Sequence, residues 1–161
     1  LKTINRLVTL RTLPYKQADA VPGEFTTVDK AAGDTVFGEH EGLVAQVPRL
    51  MSSTAEMMKR GELHPMVLSA RFHGFFEYLH PFRDGNGRTG RLLSNFILLR
   101  HDYPELIIQK EDRQGYIAAL RTIRTEGTDE HLIAFFFKAA TKQMENALAQ
   151  KKQNSRTMFF F

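Results

Sequence analysis

Two stretches of helical periodicity meet at a short glycine-rich break, and this break constrains the chain more than any other feature. Over residues 64–79, Leu68, Phe72, Phe75, Phe76 and Leu79 fall at i, i+4, i+7, i+8 and i+11. That spacing lines one face of a helix with a 3.6-residue period. Beyond the break at 80–87, Leu92, Leu93, Phe96, Ile97 and Leu99 supply the apolar side of a second helix, which ends near His101-Asp102-Tyr103-Pro104.

The remaining segments extend the helical pattern. Residues 1–13 read as a short helix closed by Pro14, and 14–24 as a loop rich in Pro and small residues. Phe25-Thr26-Thr27-Val28 and Thr35-Val36-Phe37 are short β-prone runs around the turn residues 31–34, so a small hairpin is expected over 25–37. Residues 41–60 read as a helix in which Pro48 either makes a kink or delays the start, with Gly61 as the stop. Further helices are expected at 111–125 and at about 129–150, the last burying Ile133, Phe136, Phe137, Ala140 and Met144. The expected fold is all-α: one compact helical domain over 1–150 with a β-hairpin flap before the active-site helices, then a tail at 151–161. The tail is polar until Met158-Phe159-Phe160-Phe161, an ending for which the sequence offers no account.

Composition bounds the function. The chain has 161 residues, 42% hydrophobic and 25% charged, the balance of a globular domain with a real core. It has no Cys, which removes disulfides and thiolate chemistry and suits a reducing compartment. No apolar run approaches the ~20 residues of a membrane span, and no signal peptide is visible. The expected location is the cytoplasm, or a host cytosol after delivery. The chain opens on Leu1 rather than Met, so a preceding segment is expected. The net charge of +4 suits a bound polyanion, either nucleotide or nucleic acid. The absence of a basic run with interleaved aromatics argues against nucleic acid.

Residues 80–91 read His-Pro-Phe-Arg-Asp-Gly-Asn-Gly-Arg-Thr-Gly-Arg. Pro81 keeps His80 out of the preceding helix, which puts an imidazole at a bend. Gly85 and Gly87 flank Asn86 just before a helix expected to start around Arg88. Glycines there free backbone N–H groups to face an anion. Arg88 and Arg91 are three apart, on one side of the first helical turn, and suit a polyphosphate. Cations at a helix N-terminus oppose the dipole preference unless an anion is held there. Asp84 among these groups is most simply a ligand for Mg²⁺. His80 is the nearby group suited to proton removal at neutral pH. Any one of these residues also suits a plain interhelical turn; together they point to nucleotidyl or phosphoryl transfer.

The same twelve residues resemble the signature of the Fic family, H-P-F-x-[D/E]-G-N-G-R-x-x-R, at every fixed position. His73 and Phe76 resemble its lead-in, and Tyr103-Pro104 its G-Y-P turn, with His101-Asp102 in place of the usual small residue and Gly. Asp112-Arg113 with Tyr116, and Glu126-Gly127, resemble its D-R-x-x-Y and E-G stretches. Pro22-Gly23-Glu24-Phe25 resembles the segment before its flap, with Thr26 in place of the usual Arg. The resemblance implies a protein adenylyltransferase that moves AMP from ATP to a Tyr, Thr or Ser hydroxyl of a target protein, with Mg²⁺ or Mn²⁺ as the metal. It implies that His80 is the base and Asp84 the metal ligand. Gly85, Asn86 and Gly87 would form the anion hole, while Arg88 and Arg91 contact phosphates and Phe82 anchors the loop. Tyr116 would lie near the adenine. Phe25, Thr26, Thr27, Val28, Thr35 and Val36 would form the flap that docks the target by strand addition.

The family also implies control by a Glu that pairs with the last Arg of the signature, here Arg91. Thr141 to Asn146 fits the loose inhibitory pattern, with Glu145 as candidate, and Thr122 to Gly127 fits it formally. The inhibitory helix is expected instead before Leu1 or on a separate antitoxin-like partner. Relatives that phosphorylate their targets carry Lys where this chain has Gly87, which disfavours that chemistry. Transfer of another group, removal of AMP, and a silent binding module are the alternatives. His73 reads as a structural histidine, and His40, His64, His101 and His131 as surface or cap residues. Met57 and Met58 read as core filler.

Overall fold

The computed structural model describes residues 1–10, 21–29, 31–32, 35–37 and 39–158; of these, the side chains of 31–32, 35–36 and 154–158 are outside the description. Pro14, the expected turn at Gly33-Asp34 and the terminal Phe159–Phe161 therefore lie outside the described residues. The chain divides into two compact units, Leu1–Pro104 and Glu105–Phe161.

The first unit holds α1 (Lys2–Thr9), a two-residue ladder of β1 (Ala31–Ala32) and β2 (Thr35–Val36), α2 (Leu43–Arg60), α3 (Pro65–Leu79) and α4 (Asn86–Leu99). A single 3-10 turn at His40–Gly42 leads into α2, and Pro48 sits inside that helix without delaying its start. Gly61 ends α2 at φ 65°, its N–H bonded to the Met57 carbonyl. His64 caps α3 by accepting from the Met66 N–H, and Pro65 follows at the first helical position. His64 Nε2 also meets the Tyr103 hydroxyl at 2.9 Å. At the end of α4, Asp102 takes φ 60° where the family pattern has Gly, and the Tyr103 N–H reaches back to the Leu98 carbonyl at 3.0 Å. That is a left-handed helix stop which Asp tolerates better than most residues.

Leu68, Phe72, Phe76, Phe82, Leu93 and Ile97 form the main core, and Leu43, Val47 and Leu79 a second cluster. The buried face of α3 is rotated from the expected one. Phe75 is 50% exposed and lines an apolar groove against α2, while Ser69, Ala70, His73 and Gly74 are buried. On α4, Leu92, Phe96 and Leu99 are exposed, and Thr89, Gly90, Ser94 and Leu98 are buried beside Leu93 and Ile97. The reason is a close α3–α4 approach through small residues. Ser69 and Ser94 face each other, each hydroxyl donating to the other's carbonyl at 2.9 and 3.1 Å.

The hairpin also differs from expectation. Ala31 pairs with Val36 and Ala32 with Thr35, but Phe25–Val28 is not a strand arm. Phe25 forms an isolated antiparallel bridge with Phe82, and the Thr26 N–H donates to the Pro81 carbonyl at 2.8 Å. The Thr26 hydroxyl then bonds the Val28 carbonyl at 2.9 Å, a local side-chain bond that competes with a ladder.

The second unit holds α5 (Arg113–Thr125) and α6 (Glu130–Met158). Tyr116 and Ala119 of α5, and Leu132, Phe136, Ala139 and Ala140 of α6, are buried. Phe137 and Met144, expected inside, are 40% and 39% exposed. Helix α6 runs on to Met158, so 151–158 continue it. Gln143 bonds both the Ile107 N–H and the Glu105 carbonyl, and Lys142 holds the Asp112 carboxylate at 3.0 Å.

Candidate active site

The loop is built from its own ends inward. His80 closes α3 in the left-handed region at φ 47°, ψ 55°, with its N–H on the Phe76 carbonyl at 2.9 Å. Pro81 excludes the right-handed helix for this residue, but the chain takes a left-handed turn rather than the extended one that Pro usually imposes. Asn86, 2% exposed, ties the loop across itself: Oδ1 accepts from the Phe82 N–H at 2.8 Å and Nδ2 donates to the Phe82 carbonyl at 2.6 Å. Its side chain therefore buttresses the loop, and its backbone N–H is the first of α4.

Gly85 precedes α4 at φ 78°, and its N–H donates to Asp84 Oδ1 at 2.6 Å. The N–H groups of Asn86, Gly87 and Arg88 open the helix, where no intrahelical acceptor exists for them. Arg88 bonds Asp84 Oδ2 at 3.0 Å and the Val8 carbonyl at 2.8 Å. Its visible role is loop support. Arg91 folds back over Gly87, where a Cβ would lie 3.1 Å from Nη1.

Three features were not expected. Helix α1 presses on the loop: Asn5, 1% exposed, donates to the Asp84 carbonyl at 2.9 Å and to Thr89 Oγ1 at 3.2 Å, and accepts from the Gly23 N–H at 3.0 Å. Phe37 stacks on the His80 ring, with centroids 3.9 Å apart and planes at 23°. Glu77 lies on the turn of α3 before His80, with Oε2 3.6 Å from Nδ1. Its i, i+3 spacing from His80 was the one signal the sequence offered; nothing in the sequence marked Asn5.

Charge at the back of the loop is concentrated on α3. Burial holds the His73 imidazole below its ordinary 6.5; Glu77 and the Gly90 backbone pull it up, and Arg91 pushes it down. Burial raises Glu77, but the His80 contact and the charges of His73, His80 and Arg91 bring it below its ordinary 4.5. Glu77 is therefore an ionised, nearly buried carboxylate. No group of three or more His, Cys, Asp or Glu suited to a metal exists among the described residues. Asp84 does fit Mg²⁺, which needs few protein ligands: it is 37% exposed, and each oxygen retains lone-pair capacity beside its one donor.

His80, Asp84, Gly85, Asn86, Gly87, Arg88 and Arg91 are thus brought together at the start of α4. Phe25 and Thr26 touch the loop through their backbones. Tyr116 and Glu145 belong to the second unit: Tyr116 packs on Phe135 with ring centroids 5.9 Å apart, and Glu145 is exposed on α6.

A family model described as Fic/DOC family matches residues 1–98. The chain belongs to the Fic/DOC family. Proteins named "Protein adenylyltransferase Fic" are similar to part of it. That of Nematostella vectensis is 52% identical over 54 residues, covering 34% of this chain and 13% of the relative. That of Culex quinquefasciatus is 42% identical over 73 residues, covering 45% and 14%. The match thus spans only a small part of these relatives' length. A Fic domain containing signaling protein from Bacteroides thetaiotaomicron is similar in structure, with TM-score 0.72 and 27% identity over 87% of this chain and 56% of that one. Fic-1 from C. elegans, at 22% identity, shares the fold with TM-score 0.73 over 95% of this chain and 52% of its own. No helix among the described residues is long and apolar enough to cross a membrane.

Proposed function

We propose that this Fic domain transfers AMP from ATP to a hydroxyl side chain of a protein, releasing pyrophosphate. The observation that carries the reading is the convergence of His80, Asp84 and Arg91 on the N-terminus of α4. His80 ends α3 beside the first turn of α4, where Asp84 precedes the helix, bonded to Arg88, and Arg91 lies over Gly87. The names of the relatives favour AMP as the group moved.

In this reading the hydroxyl gives its proton to His80, and its oxygen attacks the α-phosphorus. The bond from that phosphorus to the bridging oxygen breaks, and pyrophosphate leaves. The N–H groups that open α4 hold the phosphate oxygens, where the helix dipole favours negative charge. Arg91 takes the terminal phosphate. Asp84 would hold Mg²⁺ or Mn²⁺, which supplies charge neutralisation of the triphosphate when bound. The ladder of β1 and β2 would offer an edge to an extended target segment. An inhibitory segment or antitoxin-like partner would act by taking Arg91 first.

The test is peptide mass spectrometry after incubating the chain with ATP, Mg²⁺ and a cell lysate. AMP-bearing Ser, Thr or Tyr peptides are expected from wild type and not from His80→Ala. Their absence with wild type, or phosphate or another group in their place, overturns the reading. Calorimetric titration of ATP tests the metal: affinity should rise with Mg²⁺ in wild type and not in Asp84→Ala. Equal affinity in all four titrations removes Asp84 as a ligand.

A further inference from the structure

Glu77 belongs to no part of the signature, yet it is a nearly buried carboxylate behind the loop. Its side chain keeps 12% exposure, and Oε2 stands 3.6 Å from Nδ1 of His80. Gly90 on α4 makes the space for it. A Cβ there would come within 3.1 Å of both Glu77 Oε1 and His73 Nδ1, and within 3.0 Å of the Phe76 ring. The charged and titratable groups that act on this carboxylate are His73 and His80 from α3 and Arg91 from α4.

The His80 ring is bounded on two sides. Phe37 stacks on its face, and Glu77 Oε2 stands 3.6 Å from Nδ1, just beyond hydrogen-bond length, while Nδ1 is buried and has no hydrogen-bond partner among the described residues. A carboxylate is an acceptor only, so the Nδ1 that faces it is favoured in the protonated form. A neutral imidazole has one N–H, so the proton at Nδ1 leaves the lone pair on Nε2. An unconstrained neutral histidine prefers the opposite tautomer.

We propose that Glu77 is the positioning residue of the base: it holds His80 as the Nδ1–H tautomer and so leaves Nε2 able to take the target hydroxyl proton. The catalytic half of this statement rests on the AMP-transfer reading above; the tautomer half does not.

Two measurements on the full chain keep these halves distinguishable. Long-range ¹H–¹⁵N spectra of ¹⁵N-histidine protein at alkaline pH report the tautomer, with the His80 signals assigned by their loss in His80→Asn. Steady-state AMP transfer reports kcat and the KM for ATP. Glu77→Gln keeps the shape with a weaker, neutral acceptor, and Glu77→Leu removes the acceptor. The Nδ1–H share should fall in the order wild type, Gln, Leu. The kcat should fall in the same order, by about 10²-fold for Leu, the scale of a misplaced catalytic group, with KM for ATP little changed. The same tautomer in wild type and both variants overturns the proposal. A raised KM with unchanged kcat also overturns it and assigns Glu77 to the phosphate pocket through Arg91. If wild type transfers no AMP, the functional reading fails, and the spectra alone decide whether Glu77 sets the tautomer. Because Glu77→Gln is isosteric, the tautomer is readable even if Glu77→Leu does not fold.

Discussion

His80 is held in a backbone conformation that costs a side chain about 1–2 kcal/mol, at φ 47°. The turn itself is made by the N–H bond to Phe76, while the imidazole adds the Phe37 stack and the Glu77 contact. In His80→Gly the relief of backbone strain offsets the loss of those contacts, so stability should change by less than about 1 kcal/mol while transfer is abolished, and His80→Ala should bind ATP normally with transfer lowered ~10²–10⁴-fold. Denaturant melts beside ATP titrations and transfer rates check both; full transfer in either variant would remove His80 as the base. The directions in which His73 and Glu77 are shifted set the sign of the pH dependence to expect. The folded-state value of His73 is depressed below 6.5, so its stabilising contribution is present above that pH and is lost as pH falls. Glu77 is depressed below 4.5, so its contribution persists lower and is lost in stronger acid. Unfolding free energy should drop from pH 7 to 5 through His73, and His73→Gln should flatten that slope. A slope that is the same in the variant would place its origin elsewhere.

At the scale of elements, α1 and the α4 entrance form one structure. A Cβ on Gly85 would lie 2.4 Å from Thr9 Cγ2, at φ 78°, so Gly85→Ala meets both a clash and a strained backbone. The expected loss is about 2–4 kcal/mol. Asn5→Ala deletes the bonds to Asp84, Thr89 and Gly23 and should cost about 1–3 kcal/mol; differential scanning calorimetry separates these from a neutral surface control such as Lys59→Ala. The sequence made the loop legible because its chemistry is confined to consecutive residues, His80 to Arg91. It hid the α1 clip because Asn5 is an ordinary polar residue whose partners lie far along the chain. The helix periods were legible and their faces less so. Aromatic spacing points to Phe75 and Phe96 as core, yet α3 and α4 meet through Ser69, Gly90 and Ser94, where smallness permits close approach, and this leaves Phe75 and Phe96 outside. The first arm of the hairpin is not legible in the sequence because Phe25 pairs its backbone with Phe82, a contact no local β-propensity announces.

At the scale of the molecule, the family match at residues 1–98 lies within the first unit, which also contains His80, Asp84, Arg88 and Arg91, the residues proposed as base, metal ligand and phosphate contacts. The second unit contains Tyr116 and Glu145, and the sequence tied both to the site only through the family resemblance. Their geometry is that of a helix pair: Tyr116 is buried at 8%, and α6 extends over 29 residues. Asn5 joins the first turns of the chain to Asp84 and Thr89 across 79 and 84 positions of sequence. Eight helical residues cannot hold their shape in water without such packing. Release of α1 would be a local opening, smaller than collapse of the core that Leu1 and Ile4 also touch. Warming or nicking the chain near its beginning would then silence the site while most of the molecule still counted as native, so loss of activity would report the first loosening rather than the final melt.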